Sequence, residues 1–372
     1  IESLADHPNS HTYYVILNEG HRDNWCYRRW PSHIHFVSLR SVEPQQPKIV
    51  RAWRLLRRGL GLSVPPHYGK DYLAQQIEAL ALDLLHFPCT VIPLLSVETP
   101  CVLTFFDIQH EYYPEFFTRQ ELDWRAKAYA PSVRKARRLI VPSEYTRQTL
   151  VEKYDVSNHK MTLIPVGLPP AFQHPDPSEI TRVREKYGFP DQFIFYPANP
   201  WQHKNHARLM AALRIYKEQH GEAPWLVLSG RLHNEHRDAG SLAIAAGVKD
   251  RVIDLEFVPR DDLPALYSAA YLMIFPSLFE GFGMPLIEAM GCGCPIAAAN
   301  ATAIPECVGD AALLFDPWDP IDIASKIHFL LTNLEARKNL IKRGYERSRK
   351  FDWKSATEQV VGVYEGALRT SQ

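Results

Sequence analysis

The stretch Phe275–Glu306 constrains the fold of this chain most, because a strand, a glycine turn, a helix and a second strand follow one another there. The apolar runs Tyr271–Phe275 and Pro295–Ala299 predict two buried strands. Between them, Pro285 stands where the first turn of a helix accepts proline, and Gly291 marks the helix end. A strand–turn–helix–strand unit is typical of α/β proteins with a parallel sheet.

The glycine turn makes the head of this helix a candidate anion site. Gly281 and Gly283 precede the helix, and glycines there let backbone N–H groups approach an anion closely. Glu280 and Glu288 bracket the turn, and a carboxylate accepts two hydrogen bonds from a sugar diol. A nucleotide-sugar carries both a phosphate and such diols. Taken alone, a glycine turn more often only closes a connection, and a single glutamate is more often solvated.

The complete string E-G-F-G-M-P-L-I-E-A-M-G-C-G-C-P-I, which starts at Glu280, resembles the E-x7-E region of retaining glycosyltransferases of family 4. The resemblance implies a GT-B fold, in which two Rossmann-like domains face a cleft. It also implies that Glu288 accepts the ribose hydroxyls and that Glu280 contacts the donor sugar. The rest of the implied donor site comprises Gly281, Phe282, Gly283, Met284, Pro285 and Leu286, with the amides of Gly283–Leu286 on the sugar hydroxyls and the distal phosphate.

The 372 residues exceed a usual single core, so we expect two domains. Four prolines between residues 167 and 177 indicate a linker and place the boundary near residue 170. Residues 1–170 would form the N-terminal acceptor domain and residues 171–350 the nucleotide-sugar domain. By resemblance, a terminal helix in residues 351–372 crosses back to the N-terminal domain. The chain starts inside a helix, so we expect a truncated sequence whose N-terminal domain lacks its first strand.

A polar loop follows the predicted strand Cys101–Phe106, at the strand end where open α/β sheets bind ligands. It resembles the family loop H-D-L-Q-H-x-x-x-P, which faces the sugar from the N-terminal domain. Phe106 stands at the family's first histidine, so only Asp107 and His110 are carried over. The alternative is a surface loop with aromatic packing.

The loop P-A-N-P-W-Q-H-K-N, residues 197–205, resembles the family's P-H-K-N loop. Lys204 would neutralise the diphosphate leaving group, although a lone lysine at a helix start is usually solvated surface. Many relatives have an arginine where this chain has Ala198, and Arg231 is the candidate replacement. Val258 lies in a segment that resembles the loop packed against the nucleotide base, but most valines are core residues.

Charge and composition limit the classes of partner that this chain can bind. Lys plus Arg equals Asp plus Glu, 42 each, so nothing global indicates a nucleic-acid partner. The basic clusters Arg51–Arg58 and Arg134–Arg138 are expected to be solvated helix faces. Apolar residues interleave the first cluster, so peripheral contact with a membrane surface is the alternative there. No apolar run approaches the ~20 residues that span a bilayer.

The cysteines and acids argue against a bound metal. None of the six cysteines forms a C-x2-C pair, and their apolar neighbours predict buried free thiols in a reducing, cytoplasmic compartment. No D-x-D pair is present, so we expect metal-independent chemistry without a cofactor.

The resulting hypothesis is a glycosyltransferase that moves a hexose, mannose or glucose, from a GDP- or UDP-linked donor to an acceptor hydroxyl with retention. The acceptor would be a saccharide or a lipid-linked saccharide in polysaccharide or glycoconjugate synthesis. A sugar-nucleotide epimerase and an inactive donor-binding fragment are the alternatives. The sequence leaves the base, the hexose and the acceptor linkage open.

Overall fold

The structure is a computed structural model that describes residues 1–18, 29–39, 68–173, 175–230 and 239–369. Four features lie outside these residues: a helix that the sequence predicts over residues 48–60, the basic cluster Arg51–Arg58, Cys26 among the six cysteines, and Arg231. The chain divides into two compact units. The first comprises Ile1–Phe105, Ala126–Ile140 and Thr357–Gln372, and the second comprises Phe106–Arg125 and Val141–Ala356. The domain boundaries given above stay a prediction.

The elements follow one another in largely alternating order. The first part of the chain contains α1 (Glu2–Asp6), β1 (Tyr13–Asn18), β2 (Ile34–Leu39), α2 (Tyr68–Glu78), β3 (Leu85–Phe87), β4 (Cys101–Thr104), α3 (Gln109–Tyr112), α4 (Arg119–Lys135), β5 (Arg138–Val141), α5 (Glu144–Tyr154) and β6 (Met161–Leu163). The second part contains α6 (Pro177–Tyr187), β7 (Ile194–Pro197), α7 (His206–His220), β8 (Leu226–Ser229), α8 (Ala239–Ala245), β9 (Val252–Asp254), α9 (Leu263–Ala269), β10 (Leu272–Phe275), α10 (Met284–Gly291), β11 (Ile296–Ala299), α11 (Ile304–Val308), β12 (Ala312–Phe315), α12 (Pro320–Thr332), α13 (Leu334–Ser348) and α14 (Trp353–Arg369).

Three sheets are formed by the described strands. Strands β1 and β2 pair in parallel, and a four-stranded sheet has the order β3-β4-β5-β6. The six-stranded sheet has the order β12-β11-β10-β7-β8-β9, and its pairs are parallel. Numbered from its own first strand, this is the doubly wound Rossmann order, which reverses direction between β7 and β10. Such a switch point leaves a crevice beyond the carboxyl ends of the two strands.

The central strands of the six-stranded sheet are covered on both faces. Every residue of β8, β10 and β11 is buried, as are the first three of β7. Their sequences are therefore continuous apolar runs instead of alternating patterns, as expected for a buried parallel sheet. This rigid core fixes the position of the loops that leave the carboxyl ends of its strands.

Most predicted elements are confirmed, and the exceptions have local causes. A serine directly before a helical pattern predicts an N-cap at Ser143, and its hydroxyl does accept a hydrogen bond from Thr146 N, at 3.0 Å, at the start of α5. The helices α6, α8 and α11 were not predicted. Helix α6 starts within the proline-rich segment, where Asp176 caps it and Pro177 takes the first position. Prolines in this segment therefore start a helix, and the linker predicted from them stays a prediction.

Two further expectations need correction. A proline inside a helical pattern predicts a break or a kink at Pro131, but α4 is not broken there and continues to Lys135, and the Ser132 hydroxyl donates to Ala128 O at 2.6 Å in the same turn. Of the described cysteines, four are buried, whereas Cys89 is exposed. Cys89 follows a strand end and a proline, where the chain runs at the surface. Among the residues that the structure describes, no helix is both long and apolar enough to cross a bilayer.

Candidate functional site

Two loops meet at the switch point of the six-stranded sheet. The loop after β7 carries Lys204, and the loop after β10 carries Glu280. The Lys204 Nζ lies 2.6 Å from Glu280 Oε1, and the two side chains are 13% and 14% exposed. The sequence analysis proposed both residues separately, and the fold brings them into one largely buried ion pair. In such a low-dielectric position, a charge acts on a ligand more strongly than at the surface.

The loop that carries Lys204 is fixed by backbone contacts. The hydroxyl of Tyr196, a fully buried residue of β7, donates to the Lys204 carbonyl at 2.6 Å. Asn205 takes the left-handed conformation, with φ of 61°, and its amide donates to Pro276 O at 3.0 Å. A backbone bond from Leu278 N to His203 O, 2.8 Å long, joins the two loops directly. Lys204 is therefore presented by a rigid support.

The loop that carries Glu280 is equally constrained. Glu280 N donates to Thr302 Oγ1 at 3.0 Å. At Gly281 there is no room for a side chain, because a Cβ there would overlap the carbonyl oxygen of Phe106. This close approach places Asp107, the next residue, beside the glycine turn. A glycine is needed at this position because the backbone at residue 281 lies directly against the backbone of Phe106.

Two hydroxyl groups at the start of α5 hold this junction together. Ser143 Oγ donates to Gly281 O at 2.6 Å. Thr146 Oγ1 lies 2.9 Å from Phe106 O and 3.1 Å from Gly281 O, so its one proton serves either carbonyl. We call Ser143 and Thr146 the hydroxyl clamp. The clamp connects the turn that bears Glu280 to the loop that bears Asp107.

The head of α10 offers fewer amides than the resemblance implies. Gly283 caps the helix with φ of 115°, a conformation that suits glycine alone. Pro285 has no N–H, and Leu286 N donates to Gly283 O at 3.0 Å. Of the amides of Gly283–Leu286, those of Gly283 and Met284 are left as the donors for an anion. They still lie at the positive end of the helix dipole.

Glu288 is half-buried on α10, and the hydroxyl of Tyr267 donates to its Oε2 at 3.0 Å. Burial raises the pKa of the Glu288 carboxyl to about 7, and the Tyr267 hydrogen bond and Arg260 oppose this only in part. Tyr267 is itself buried in the core, with 1% of its surface exposed. Glu288 is thus held in place and titrates close to neutral pH.

Asp107 and His110 lie on the loop and short helix after β4, in the same compact unit as Glu280. Burial raises the pKa of the Asp107 carboxyl, and the charge of Glu280 adds to this, while the Gln109 amide, Arg125 and Lys204 oppose it. The Gln109 N–H donates to Asp107 Oδ1 at 3.0 Å. We call Asp107, Glu280 and Lys204 the acid–lysine cluster, because the charges of Glu280 and Lys204 both shift the pKa of Asp107.

His110 is buried with 5% exposure. Its Nε2 lies 3.3 Å from the Tyr154 hydroxyl and 3.5 Å from Glu111 Oε1. Burial lowers the pKa of His110 to about 4, and Arg125 contributes in the same direction. The imidazole is therefore neutral at physiological pH and can orient a hydroxyl by hydrogen bonding.

Three other predicted positions, Val258, Phe282 and Leu286, are core residues. Val258 has 6% exposure and belongs to the hydrophobic core, as does Leu286 with none. Phe282 packs edge-on against Phe351, with ring centroids 5.6 Å apart. These side chains shape the site from beneath. In the part of the chain that the structure describes, no group of three or more His, Cys, Asp or Glu side chains is arranged to hold a metal.

Sequence reasoning missed the residues that support the site. Ser143 was recognised as a helix cap, but its second role at Gly281 depends on a contact between distant segments. Thr302 lies in a turn before α11 with φ of 52°. The sequence around it did not indicate that its hydroxyl accepts from Glu280 N. The position of Asn205 before α7 suggests an ordinary cap, yet its side chain bonds neighbouring loops instead.

Two family models match adjacent parts of the chain. The model described as Glycosyltransferase Family 4 matches residues 18–172, and the model described as Glycosyl transferases group 1 matches residues 179–347. The second match contains Lys204, Glu280 and Glu288, and the first contains Asp107 and His110.

The chain is also similar to curated proteins and to solved structures. It is 27% identical over 321 residues to O-antigen chain mannosyltransferase B of Escherichia coli, covering 86% of this chain and 81% of that protein. It is 30% identical over 234 residues to the serotype-specific mannosyltransferase WbdA of Escherichia coli, covering 62% of this chain but only 29% of that longer protein. The crystal structure of Anabaena HepE with UDP and glucose matches 90% of this chain and 87% of its own, with a TM-score of 0.69 and 21% identity. The predicted GT-B fold is confirmed.

Proposed function

Because this chain belongs to glycosyltransferase family 4 and is a glycosyltransferase, we propose that it is a retaining mannosyltransferase that uses a nucleotide diphosphate sugar. Its similarity to O-antigen chain mannosyltransferase B supports mannose as the hexose and polysaccharide synthesis as the setting. The UDP in the HepE crystal structure supports a nucleotide-linked donor. The donor is thus GDP- or UDP-mannose, and the acceptor is a hydroxyl of a saccharide or lipid-linked saccharide.

The single observation that carries this proposal is the buried ion pair of Lys204 and Glu280 at the switch point. Lys204 offers a cation to the diphosphate, next to the amides of Gly283 and Met284 at the head of α10. Glu280 offers carboxylate oxygens to the hydroxyls of the hexose. Donor binding would replace the lysine–glutamate contact by contacts of each residue with the ligand.

The reaction exchanges one bond at the anomeric carbon for another. The bond to the diphosphate oxygen breaks, and the diphosphate leaves with the electron pair. The acceptor oxygen forms the new bond on the same face, and its proton passes to the departing diphosphate. Lys204 stabilises the charge that develops on the leaving group, which is the largest contribution we assign to one residue. No side chain is assigned as a covalent nucleophile.

Asp107, His110 and Glu288 position the donor in this proposal. Neutral His110 and the Asp107 carboxyl orient sugar hydroxyls, while Glu288 accepts from the ribose diol. Neither a metal nor a cofactor is part of the proposed chemistry.

The test is incubation with radiolabelled GDP-mannose, UDP-mannose and UDP-glucose, with and without a mannose oligosaccharide. We expect transfer from one of the two mannose donors, and a product whose new linkage has the anomeric configuration of the donor by NMR. An inverted linkage contradicts retention. An epimeric nucleotide sugar without transfer, or saturable binding without any turnover, contradicts the proposed activity.

A further inference from the structure

A row of aromatic side chains lies directly beside the acid–lysine cluster. Tyr113 and Phe116 follow His110 in the chain, Phe279 immediately precedes Glu280, and Trp318 follows β12. We call these four residues the aromatic ridge. All four belong to the second compact unit. Tyr113 and Phe116 follow the short helix that carries His110, Phe279 lies on the loop that carries Glu280, and the loop of Trp318 is joined to Asn205, the neighbour of Lys204, through Pro317 O.

Three rings of the ridge, those of Phe116, Tyr113 and Trp318, are stacked, and the fourth, Phe279, meets Tyr113 edge-on. The ring of Tyr113 stacks on that of Phe116, with centroids 5.1 Å apart and planes 6° apart. The ring of Tyr113 also stacks with that of Trp318, with centroids 6.4 Å apart and planes 21° apart. Phe279 is buried and meets Tyr113 edge-on at 6.0 Å, which anchors the row. Trp318 keeps 49% of its surface exposed although its neighbours pack against it.

The exposed end of the ridge is held rigidly. Asn205, which fixes the Lys204 loop, also donates to Pro317 O at 2.8 Å. Trp318 N donates to Asp316 Oδ1 at 2.8 Å, and Asp319 accepts from Ile321 N at 2.8 Å as the cap of α12. A large apolar side chain that is exposed and yet preorganised is typical of a binding surface, because little conformational entropy is lost when a ligand covers it.

Polar groups surround the exposed indole. The Arg208 guanidinium carbon lies 4.3 Å from the Trp318 ring centroid, and Arg208 Nη1 donates to Asn205 Oδ1 at 3.1 Å. A guanidinium has five N–H donors, so Arg208 can also donate to ligand hydroxyls. Asp316 and Asp319 are exposed and supply acceptors. The exposed part of the Trp318 side chain, together with these donors and acceptors, matches a pyranose, which has apolar C–H groups and a rim of hydroxyls.

We propose that the aromatic ridge is a subsite for the acceptor saccharide, with Trp318 and Arg208 contacting a sugar residue of the chain to be extended. This inference deepens the proposed function and rests on it for the identity of the acceptor. The ridge holds the acceptor beside Glu280 without contacting the diphosphate. Acceptor affinity therefore depends on Trp318, whereas donor affinity does not.

The test compares Trp318→Ala with Phe329→Ala, a substitution of another exposed aromatic that lies on α12. Binding of a mannotriose is measured by saturation-transfer NMR in the absence of any donor. We expect the dissociation constant to rise about tenfold in Trp318→Ala, to stay at the wild-type value in Phe329→Ala, and to be largely restored in Trp318→Phe. An unchanged constant in Trp318→Ala, or no saccharide binding by the wild type, overturns the inference.

Kinetics separate this inference from the proposed activity. In Trp318→Ala, the KM for the acceptor should rise about tenfold, while the KM for the donor and its slow hydrolysis without acceptor keep their wild-type values. Equal losses in donor hydrolysis contradict a role confined to the acceptor. If the wild type neither transfers nor hydrolyses any donor, the proposed function is wrong, and the mannotriose comparison still decides the role of the ridge.

Discussion

Two buried clusters of charge in the same compact unit differ in how fully their carboxylates are paired. Asp262 lies at the start of α9 and has 5% of its side chain exposed. Its Oδ1 accepts from Arg182 Nη2 at 2.6 Å, and its Oδ2 accepts from Lys186 Nζ and from the Tyr187 hydroxyl, each at 2.6 Å. Burial alone would raise the pKa of Asp262, but the three donors lower it to about 2.

The acid–lysine cluster has the opposite balance. Two carboxyl groups, those of Asp107 and Glu280, share the influence of Lys204, and the pKa of Asp107 is raised by burial and by Glu280. Among the hydrogen bonds of the described residues, the Asp107 carboxyl accepts one from Gln109 N and the Glu280 carboxyl one from Lys204 Nζ, whereas the Asp262 carboxyl accepts three and is saturated. The saturated cluster ties α6 to α9 and needs no ligand. The unsaturated cluster suits a ligand that is rich in hydroxyl donors, which is why we place the donor sugar there.

The largest expected effect is a difference in kcat/KM between substitutions of Lys204 and of Lys186. In Lys204→Gln, kcat/KM should fall by about 10²–10³-fold, because the departing diphosphate loses its counter-charge. Lys186→Gln removes the corresponding lysine from the saturated cluster and should keep the wild-type kcat/KM. Initial rates of label transfer measure both. Similar losses in the two variants would contradict the distinction between the clusters.

The next effect probes the junction between the two loops of the site. In Gly281→Ala, the new Cβ overlaps Phe106 O, so the loop that carries Asp107 must move away from Glu280. We expect kcat to fall about a hundredfold, as displacements of about 1 Å cost such factors. Gly362→Ala is the control, since a Cβ there meets no atom within 4 Å. A Gly281→Ala enzyme with wild-type kcat would show that the contact is not needed.

The saturated cluster should affect stability instead of catalysis. In Asp262→Asn, the free energy of unfolding should fall by about 2 kcal/mol, less than the roughly 3–5 kcal/mol for breaking a fully buried pair, because Arg182 and Lys186 are half exposed and can rehydrate. The kcat/KM of the folded variant should equal that of the wild type. Urea denaturation and transfer assays on the same preparation give the two values, and a loss of activity without a loss of stability contradicts this role.

The pH dependence of the free energy of unfolding tests the same structural role of Asp262. The pKa of Asp262 is lower in the folded protein than in the unfolded chain, so its contribution is complete above about pH 4 and is lost as the pH falls toward about 2. Asp262→Asn should remove that part of the acid-induced loss. Parallel stability curves for wild type and variant between pH 4 and 2 would show that Asp262 is not the group involved.

The smallest effect concerns Glu288. Its pKa of about 7 means that half of the carboxyl is protonated at neutral pH, and a protonated carboxyl accepts ribose hydroxyls less well. The KM for the donor should therefore rise about tenfold between pH 8 and pH 6. In Glu288→Gln, the KM should be high throughout and independent of pH in this range. A wild-type KM that is flat across this range contradicts the role of Glu288.

The sequence predicted the parts of the fold that local patterns specify. The apolar runs of β10 and β11, the proline at the head of α10 and the cap at Ser143 are each signalled within a few residues. The motifs also pointed to Lys204 and Glu280, although not to their pairing. Local patterns failed at α6, where a cap and a proline resemble a linker, and at Pro131, where the helix continues.

The support of the site could not be predicted, because it consists of contacts between distant segments. The hydroxyl clamp joins α5 to the Gly281 turn, and Asn205 joins the loops after β10 and β12. Nothing near Ser143 or Asn205 in the sequence indicates those partners. The reduced number of amides at α10 likewise follows from the turn that Leu286 N closes onto Gly283 O.

The central claim is that Lys204, Glu280 and the head of α10 together bind an activated sugar, and a crystal structure with GDP-mannose tests it most directly. We predict that the diphosphate lies within hydrogen-bonding distance of Lys204 Nζ and of the Gly283 and Met284 amides, with the hexose against Glu280. A diphosphate bound elsewhere, with the Lys204–Glu280 ion pair still closed, would contradict the account.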